Sequence, residues 1–481
     1  MTKAWTVDRG PWTVDRGAPA SHAPRPTPHA PRGLPHRFVL VCGAVFGVSL
    51  VFLAPPFSSP DELAHFLRAY HCSQGKVYAI KHGRGTGDYL PVSLCETYVA
   101  IAQYATKDDE FAISWNRFDL AKEIRLDPRR ESFLSFGNMA LYSPVPYAPQ
   151  AVALSFARFW EMRPLYMVYV ARLANLTAYL LLVVTAVRIA PVQKWTLALV
   201  ALMPMAVYLA ASLSADGVTI GLSLLIVAMT MDLAMREGPA DWRRLATLGL
   251  LLVLLALSKQ AYLGMVLLIF VVPGDKFGSR GRRWLVVALM IGVPLAIEAA
   301  WAYSLRNLYV PIKPYVDPAA QARWIVTHPG AYVSVMFKEM WKFEHHSLMI
   351  GVFGWLGRPF WRWMLNTYWI ALAATAVLDG GRRFSLNLRT RLIVFGTYVA
   401  SAAIMETFVY LSWEHVGQKN IEGVQPRYLV PIVPLLLLTI RGGQALAASR
   451  FSRIVVPRAA MAASALAVLA TWWIFYKRYY W

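Results

Sequence analysis

The chain is poor in charged residues and in cysteine. Only 16% of its 481 residues are charged, and 57% are hydrophobic, whereas soluble domains have about a quarter charged residues. This scarcity of charge excludes an ordinary soluble protein. Three cysteines are too few for a disulfide-rich scaffold, and their spacing matches no zinc site. A disulfide between Cys72 and Cys95 stays open if that region lies outside the cytoplasm.

Long apolar runs take the place of the missing charge. Several are about 17 to 22 residues long, which is enough to cross a bilayer core of ~30 Å. We therefore predict an all-α polytopic membrane protein with about eleven transmembrane helices. The predicted spans are 38–54, 166–187, 195–212, 217–235, 245–257, 262–273, 284–303, 361–378, 392–412, 428–440 and 459–476. The apolar segment 143–159 is predicted to be a helix on the outer surface, because a span there would invert every later loop.

Acidic residues are outnumbered, since 48 Lys and Arg face 27 Asp and Glu, giving a net charge of +21. In a soluble protein this excess would suggest nucleic acid. In a membrane protein the positive-inside rule and anionic lipid explain it better, so we predict a lipid environment and no nucleic-acid partner. The basic residues collect in alternate loops, which orients the N-terminus to the cytoplasm.

This orientation divides the chain. Residues 1–37, rich in Pro, Arg and His, are predicted to form a disordered basic cytoplasmic tail. Residues 38–476 form the transmembrane domain, with extracytoplasmic loops at 55–165, 304–360 and 413–427, and 477–481 are a short C-terminal tail. The unusual polar clusters of the sequence all fall on the outer side.

The stretch "SSPDELAHFLRAY" follows the first span. Ser59, Pro60 and Glu62 fit a helix start in which Ser59 is the N-cap and Glu62 completes a capping box. Asp61 lies on the same helix face as His65 and Arg68. A carboxylate at the membrane boundary can instead act as a general base, so Asp61 and Glu62 are catalytic candidates.

Two further outer turns carry charge. Asp216 in "AASLSADGVTIG" is either the N-cap of the following span or a second carboxylate at the depth of Asp61. Together the two acids would suit a divalent cation. In "LSKQAYLG", Lys259 and Gln260 lie within apolar sequence, where the lysine either snorkels or neutralises a lipid phosphate.

The last cluster is "EGVQPRYLVPIVP", which brings Gln425, Arg427 and Tyr428 to the outer end of the tenth predicted span. An interfacial Arg/Tyr anchor is a common device in membrane proteins. Arginine also suits bidentate phosphate binding. Both interpretations stand at this point.

The order of these motifs resembles a known family. The motifs are PDE-x-x-H-x-x-R-A-Y…G (60–75), "YSPVPYAPQ" (142–150), "MPMAVYLAASLSADG" (203–217), "SKQAYLG", "GVFGWLG" and "VQPRYLVPIVP". They resemble the bacterial membrane family called domain of unknown function 2142, over residues 38–476. That family is similar to the GT-C glycosyltransferases. One departure is Pro426, where the resemblance leads us to expect glycine.

The resemblance implies a GT-C-like bundle in the bacterial inner membrane with an extracytoplasmic active site. The donor would be a sugar on a polyprenyl phosphate or diphosphate, and the acceptor a glycan, lipid or protein. Asp61 would be the base of an inverting transfer and Asp216 the second acid. Arg427 and Lys259 would bind the lipid phosphate. Metal use varies in such enzymes and stays open, with Asp61 and Asp216 as the candidate ligands.

The alternative is a transporter or flippase of lipid-linked sugars. Transporters carry internal repeats and polar sites at the membrane midplane. This sequence shows no such repeat, and its polar groups lie at the outer boundary. The pattern therefore favours an enzyme.

Overall fold

A computed structural model describes residues 34–102, 113–311, 313–354, 357–380, 386–441 and 449–481. The predicted tail 1–37 lies outside the described residues except for 34–37, which begin the first helix. The predicted tail 477–481 is instead largely helical, because the last helix runs to Tyr479.

The described part of the chain is mostly helical. The α-helices are α1 (Leu34–Leu53), α2 (Glu62–Ser73), α3 (Val92–Ala102), α4 (Trp115–Glu123), α5 (Ala148–Phe159), α6 (Pro164–Ile189), α7 (Lys194–Ala201), α8 (Pro204–Ala210), α9 (Asp216–Met235), α10 (Trp242–Ser258), α11 (Arg280–Ser304), α12 (Pro318–Thr327), α13 (Pro329–Met340), α14 (Phe343–Leu348), α15 (Arg362–Leu378), α16 (Leu388–Trp413), α17 (Val433–Thr439) and α18 (Arg450–Tyr479). The 3-10 helices are Gly137–Leu141, Val145–Tyr147, Gln260–Val271, Gly274–Phe277 and Pro426–Leu429.

Six of the described helices, α1, α6, α9, α11, α16 and α18, are long and apolar enough to cross a membrane. The other predicted spans coincide with shorter elements. The span 195–212 divides into α7 and α8, with Pro204 at the start of α8. The span 262–273 is the 12-residue 3-10 helix Gln260–Val271. Because a 3-10 helix rises ~2 Å per residue, these twelve residues extend about 24 Å, against about 18 Å for an α-helix.

Helix α9 lies at the centre of the bundle. Nearly all of its residues are buried, whereas half or more of each other candidate span is accessible. It packs against α6, α8 and α10. Asp216 is its first residue, so this carboxylate starts the central helix at one end of the bundle.

The prediction of an all-α protein is wrong in one region. Three strands, β1 (Ile80–His82), β2 (Gly85–Pro91) and β3 (Glu131–Ser135), form an antiparallel sheet in the order β1-β2-β3. A Cβ at Gly87 would overlap the Leu134 carbonyl, so glycine permits this close strand pairing. A short pair, β4 (Val352–Phe353) with β5 (Arg358–Pro359), lies further along the chain.

The segment between α1 and α6 has an apolar core of its own. Phe66 and Tyr70 of α2 pack there with Leu154 of α5 and Met167 of α6. Helix α5, within the predicted surface segment 143–159, is a separate helix of 12 residues and is too short for a span. Cys72 and Cys95 border this core without a bond between them.

Candidate functional site

The helix α2 begins one residue later than the capping box predicts. Its N-cap is Asp61, whose backbone is left-handed (φ 60°, ψ 15°) and whose side chain makes no capping hydrogen bond. Ser59 is therefore not the N-cap, and Glu62 is not its capping partner. A left-handed backbone is uncommon outside glycine and persists where the surroundings enforce it. Such strain turns the Asp61 carboxylate away from its own helix.

Four charged side chains from distant parts of the chain meet at this point. Arg427 Nη2 lies 3.4 Å from Asp61 Oδ2, and Arg427 Nε lies 3.8 Å from Asp216 Oδ2. Lys259 Nζ forms an ion pair with Asp216 Oδ1. The order is therefore Asp61, Arg427, Asp216, Lys259, with alternating signs. We call these four residues the charge cluster.

The members of the charge cluster differ in exposure. The Asp61 side chain is 36% exposed, whereas Arg427 is 5% and Asp216 is 8% exposed. Two buried nitrogens of Arg427, Nε and Nη1, have no hydrogen-bond acceptor among the described residues. A buried guanidinium with unused donors is suited to an anionic ligand. The carboxylate nearest to solvent therefore lies beside a cation with unused binding capacity.

Aromatic rings surround the two cations. Lys259 Nζ lies 5.1 Å from the Tyr428 ring centre and 5.8 Å from that of Tyr142. The Arg427 guanidinium carbon is 5.6 Å from the Tyr428 ring centre. Tyr262 donates a 2.9 Å hydrogen bond to the Tyr428 carbonyl and so fixes the turn that carries both residues. Cation–π contacts of this kind hold the cations in place without neutralising them.

His65 lies beside the charge cluster, one turn after Asp61. Its Nδ1 is 2.7 Å from the Tyr147 hydroxyl. Burial lowers the pKa of His65 to about 4, although the nearby Asp61 and Asp216 oppose that shift. The imidazole is therefore neutral at pH 7 and can donate or accept one hydrogen bond in the site.

Arg68, predicted to share the ligand-facing side of Asp61, is instead held by the protein. It is fully buried, and its Nη2 donates to the carbonyls of Val77 (3.0 Å) and Tyr142 (2.7 Å). Its Nη1 donates to His71 Nδ1 at 2.8 Å. Because arginine cannot accept a hydrogen bond, His71 carries its proton on Nε2. That nitrogen lies 3.1 Å from Asp88 Oδ2, so Arg68 links α2 to the sheet.

Glu62 belongs to a buried ion pair with Arg172 of α6. Arg172 Nε and Nη2 donate to the two Glu62 oxygens at 2.7 and 2.6 Å. The remaining donors bond to the carbonyls of Val51 (3.0 Å), Ala54 (2.7 Å) and Pro55 (3.0 Å) at the end of α1. All five N–H groups of the guanidinium are thus used, and both side chains are fully buried.

This second arrangement, which we call the Glu62–Arg172 clamp, also reaches the Asp216 turn. Glu62 Oε1 accepts a 3.0 Å hydrogen bond from the Leu213 backbone. The clamp therefore joins the end of α1, the start of α2, and the turn before α9. It positions the backbone on both sides of the charge cluster, and every donor of Arg172 is already bonded within it.

The remaining predicted site residues border the cluster. Gln260 is half-buried at the start of its 3-10 helix, next to Lys259. Gln425 is the N-cap of the turn that carries Arg427, and its buried Oε1 has no hydrogen-bond donor among the described residues. Pro426 is the first residue of that 3-10 turn, where its missing N–H costs little.

The fit of a metal ion was tested on the two predicted ligands. Arg427 lies between Asp61 and Asp216, and Lys259 binds the second oxygen of Asp216. The carboxylates are thus paired with side-chain cations. The described residues contain no group of three or more His, Cys, Asp or Glu side chains arranged for a metal. We derive no step through a metal ion.

The sequence reasoning missed three residues. Arg172 was a detectable signal, because a basic residue inside an apolar span is rare and usually paired. Tyr142 and Tyr147 both belong to the motif "YSPVPYAPQ", and they lie against Lys259 and His65 respectively. Tyrosine is common in membrane proteins, and nothing local in the sequence marks these two as site residues.

A family model described as "Predicted membrane protein (DUF2142)" matches residues 44–436. Neither the curated proteins nor the solved structures include a match to this chain.

Proposed function

The chain belongs to the DUF2142 family of predicted membrane proteins, and we propose that it is a membrane glycosyltransferase. It moves a sugar from a polyprenyl phosphate or diphosphate to an extracytoplasmic glycan, lipid or protein. The observation that carries this proposal is the pairing of Asp61 with Arg427. A strained, 36% exposed carboxylate lies 3.4 Å from a 5% exposed guanidinium that retains unused donors.

Asp61 is the general base of the reaction. It takes the proton of the acceptor hydroxyl or amine, and the acceptor atom attacks the anomeric carbon. The bond between that carbon and the phosphate oxygen breaks, and its electron pair leaves with the phosphate. Because attack and departure occur on opposite faces, the configuration inverts. General-base catalysis of this kind contributes about 10²- to 10⁴-fold.

Arg427 and Lys259 stabilise the leaving phosphate. Arg427 has two buried nitrogens without acceptors among the described residues, and phosphate oxygens would satisfy them. Fixed cations directed at a developing negative charge act most strongly in a water-poor site. Asp216 binds Lys259 and lies near Arg427, so it orients both cations rather than taking a proton. Gln425 and Tyr428 flank the same ligand.

The membrane arrangement is part of this proposal. The chain lies in the bacterial inner membrane with its N-terminus in the cytoplasm and the charge cluster on the extracytoplasmic face. The distribution of Lys and Arg among the short loops supports this orientation. Shorter elements such as α10 and the 3-10 helix Gln260–Val271 add to the six long helices, giving about eleven crossings.

A transfer assay tests the proposal. Membranes containing the protein receive a radiolabelled polyprenyl-phosphate sugar, and label in the acceptor fraction is counted. Asp61→Asn should reduce transfer at least ~100-fold with unchanged protein level. The matched control is Asp119→Asn, a 65% exposed carboxylate on α4, and it should transfer normally. Normal transfer by Asp61→Asn contradicts the assignment. Translocation of the labelled lipid without transfer supports a flippase instead.

A further inference from the structure

A second cavity lies away from the charge cluster. Its volume is about 320 Å³, which is at the lower end of the range for small-molecule sites. It is formed where the end of α2 meets the last turn of α5 and the segment leading into β3. The lining residues are Tyr70, Gln74, Pro91, Leu126, Pro128, Glu131, Ser155, Arg158 and Phe159.

The cavity offers hydrogen-bonding groups of both kinds. Arg158 is held in place because its Nη1 donates a 2.7 Å hydrogen bond to the Ser73 carbonyl, with its guanidinium carbon 5.3 Å from the Tyr70 ring centre. Glu131 supplies a carboxylate from the first residue of β3. Gln74 Oε1 has no hydrogen-bond donor among the described residues. One positive and one negative side chain balance each other, so the lining favours a neutral polar ligand.

Apolar surface completes the cavity. Phe159 is 78% exposed at the rim, and Tyr70 and three apolar residues line the remainder. A sugar ring presents hydroxyls that both donate and accept, together with an apolar C–H face. Aromatic rings beside paired donors and acceptors match that combination.

The distance to the charge cluster makes this a separate site. Helix α2 connects the two places, with Asp61 at its start and Gln74 just after its end. Eleven residue steps along α2 extend about 17 Å. A single sugar held at Asp61 therefore does not reach Gln74.

We propose that this cavity binds a neutral saccharide, which either is free or is the headgroup of a membrane lipid. The lipid source is included because α5 exposes an apolar row beside the cavity, formed by Val152, Phe156, Phe159 and Trp160. The proposal does not rest on the glycosyltransferase assignment, since binding is measured without turnover.

The test uses the full chain in lipid nanodiscs and has two arms. The first titrates maltotriose, cellotriose and mannotriose and measures binding by thermophoresis. The second compares discs with and without monogalactosyl diacylglycerol by hydrogen exchange at residues 155–159. The variants are Phe159→Ala and Glu131→Ala. Their matched controls are Phe156→Ala, exposed on the same helix but outside the cavity lining, and Glu344→Ala, an exposed glutamate elsewhere.

Saturable binding or protection in one arm is expected, and each cavity variant should weaken it about tenfold, while both controls stay close to wild type. The outcome also identifies the source, because only the first arm responds to a free saccharide. The proposal is overturned by three results: no signal in either arm, equal binding by wild type and both cavity variants, or displacement by inorganic phosphate. A failed transfer assay with intact saccharide binding separates this inference from the proposed function.

Discussion

Asp61 and Glu62 are adjacent in sequence, and their surroundings differ completely. Glu62 is fully buried, and its partner Arg172 uses every donor within the protein. Asp61 is partly exposed, and its partner Arg427 has two nitrogens without acceptors among the described residues. A fully satisfied buried pair specifies structure, whereas an incompletely satisfied one has capacity for a ligand. The comparison assigns folding to the clamp and chemistry to the charge cluster.

The largest effect is expected from breaking the clamp. Arg172→Leu leaves a buried carboxylate unpaired and three carbonyls without their donor, which should cost about 3–5 kcal/mol of folding stability. The measurement is the yield and melting temperature of detergent-purified protein. Arg172→Leu/Glu62→Leu should recover part of the loss because no orphan charge remains. A double variant less stable than the single one would show that the ion pair is not the dominant interaction.

A smaller effect on stability, with a large one on activity, is expected at Arg427. Arg427→Gln removes the proposed phosphate ligand, while Lys259 still pairs with Asp216. Transfer should fall about 10²- to 10³-fold, with the melting temperature close to wild type. The control is Arg306→Gln, an exposed arginine that donates to the Tyr303 carbonyl. If Arg427→Gln unfolds the protein as Arg172→Leu does, the division between cluster and clamp is wrong.

The smallest effect concerns pH. Burial, followed by the adjacent Arg68, lowers the pKa of His71 to about 4. The unfolded chain therefore binds a proton at His71 more readily than the folded protein does, so stability is lost as pH falls from about 6.5 towards 4. Protonation would place a hydrogen on Nδ1 and displace the Arg68 donor.

We expect His71→Asn, whose amide oxygen can still accept from Arg68, to reduce this acid sensitivity by a few degrees of melting temperature. The residual sensitivity belongs to His65, whose pKa is also lowered to about 4. His82→Asn, at an exposed histidine, is the control. Equal acid sensitivity in wild type and His71→Asn would remove His71 from this account.

Sequence reasoning predicted where the charges gather but not how each one is used. Asp61 and Asp216 were placed at one depth because both follow or precede apolar spans, and the structure brings them to a common arginine. The capping box was wrong because Glu62 has a stronger partner 110 residues away. A local motif carries no information about a contact at that separation.

The span count depended on length alone, and length was the weaker signal. Pro204 starts a new helix within the predicted span 195–212, and Gln260–Val271 is wound as a 3-10 helix. Backbone winding of this kind follows from packing against neighbours: a Cβ at Gly264 would overlap the backbone of Ser401 in α16. Apolar composition alone does not distinguish these windings.

The measurement that tests the central claim most directly compares Asp61→Asn with Glu62→Gln in one preparation, recording melting temperature and sugar transfer for each. The account predicts that Asp61→Asn keeps the wild-type melting temperature and loses transfer at least ~100-fold. It predicts that Glu62→Gln, which leaves Arg172 buried without its counter-charge, lowers the melting temperature markedly. An unstable Asp61→Asn, or a Glu62→Gln variant as stable as wild type, would contradict the assignment of chemistry to one carboxylate and structure to its neighbour.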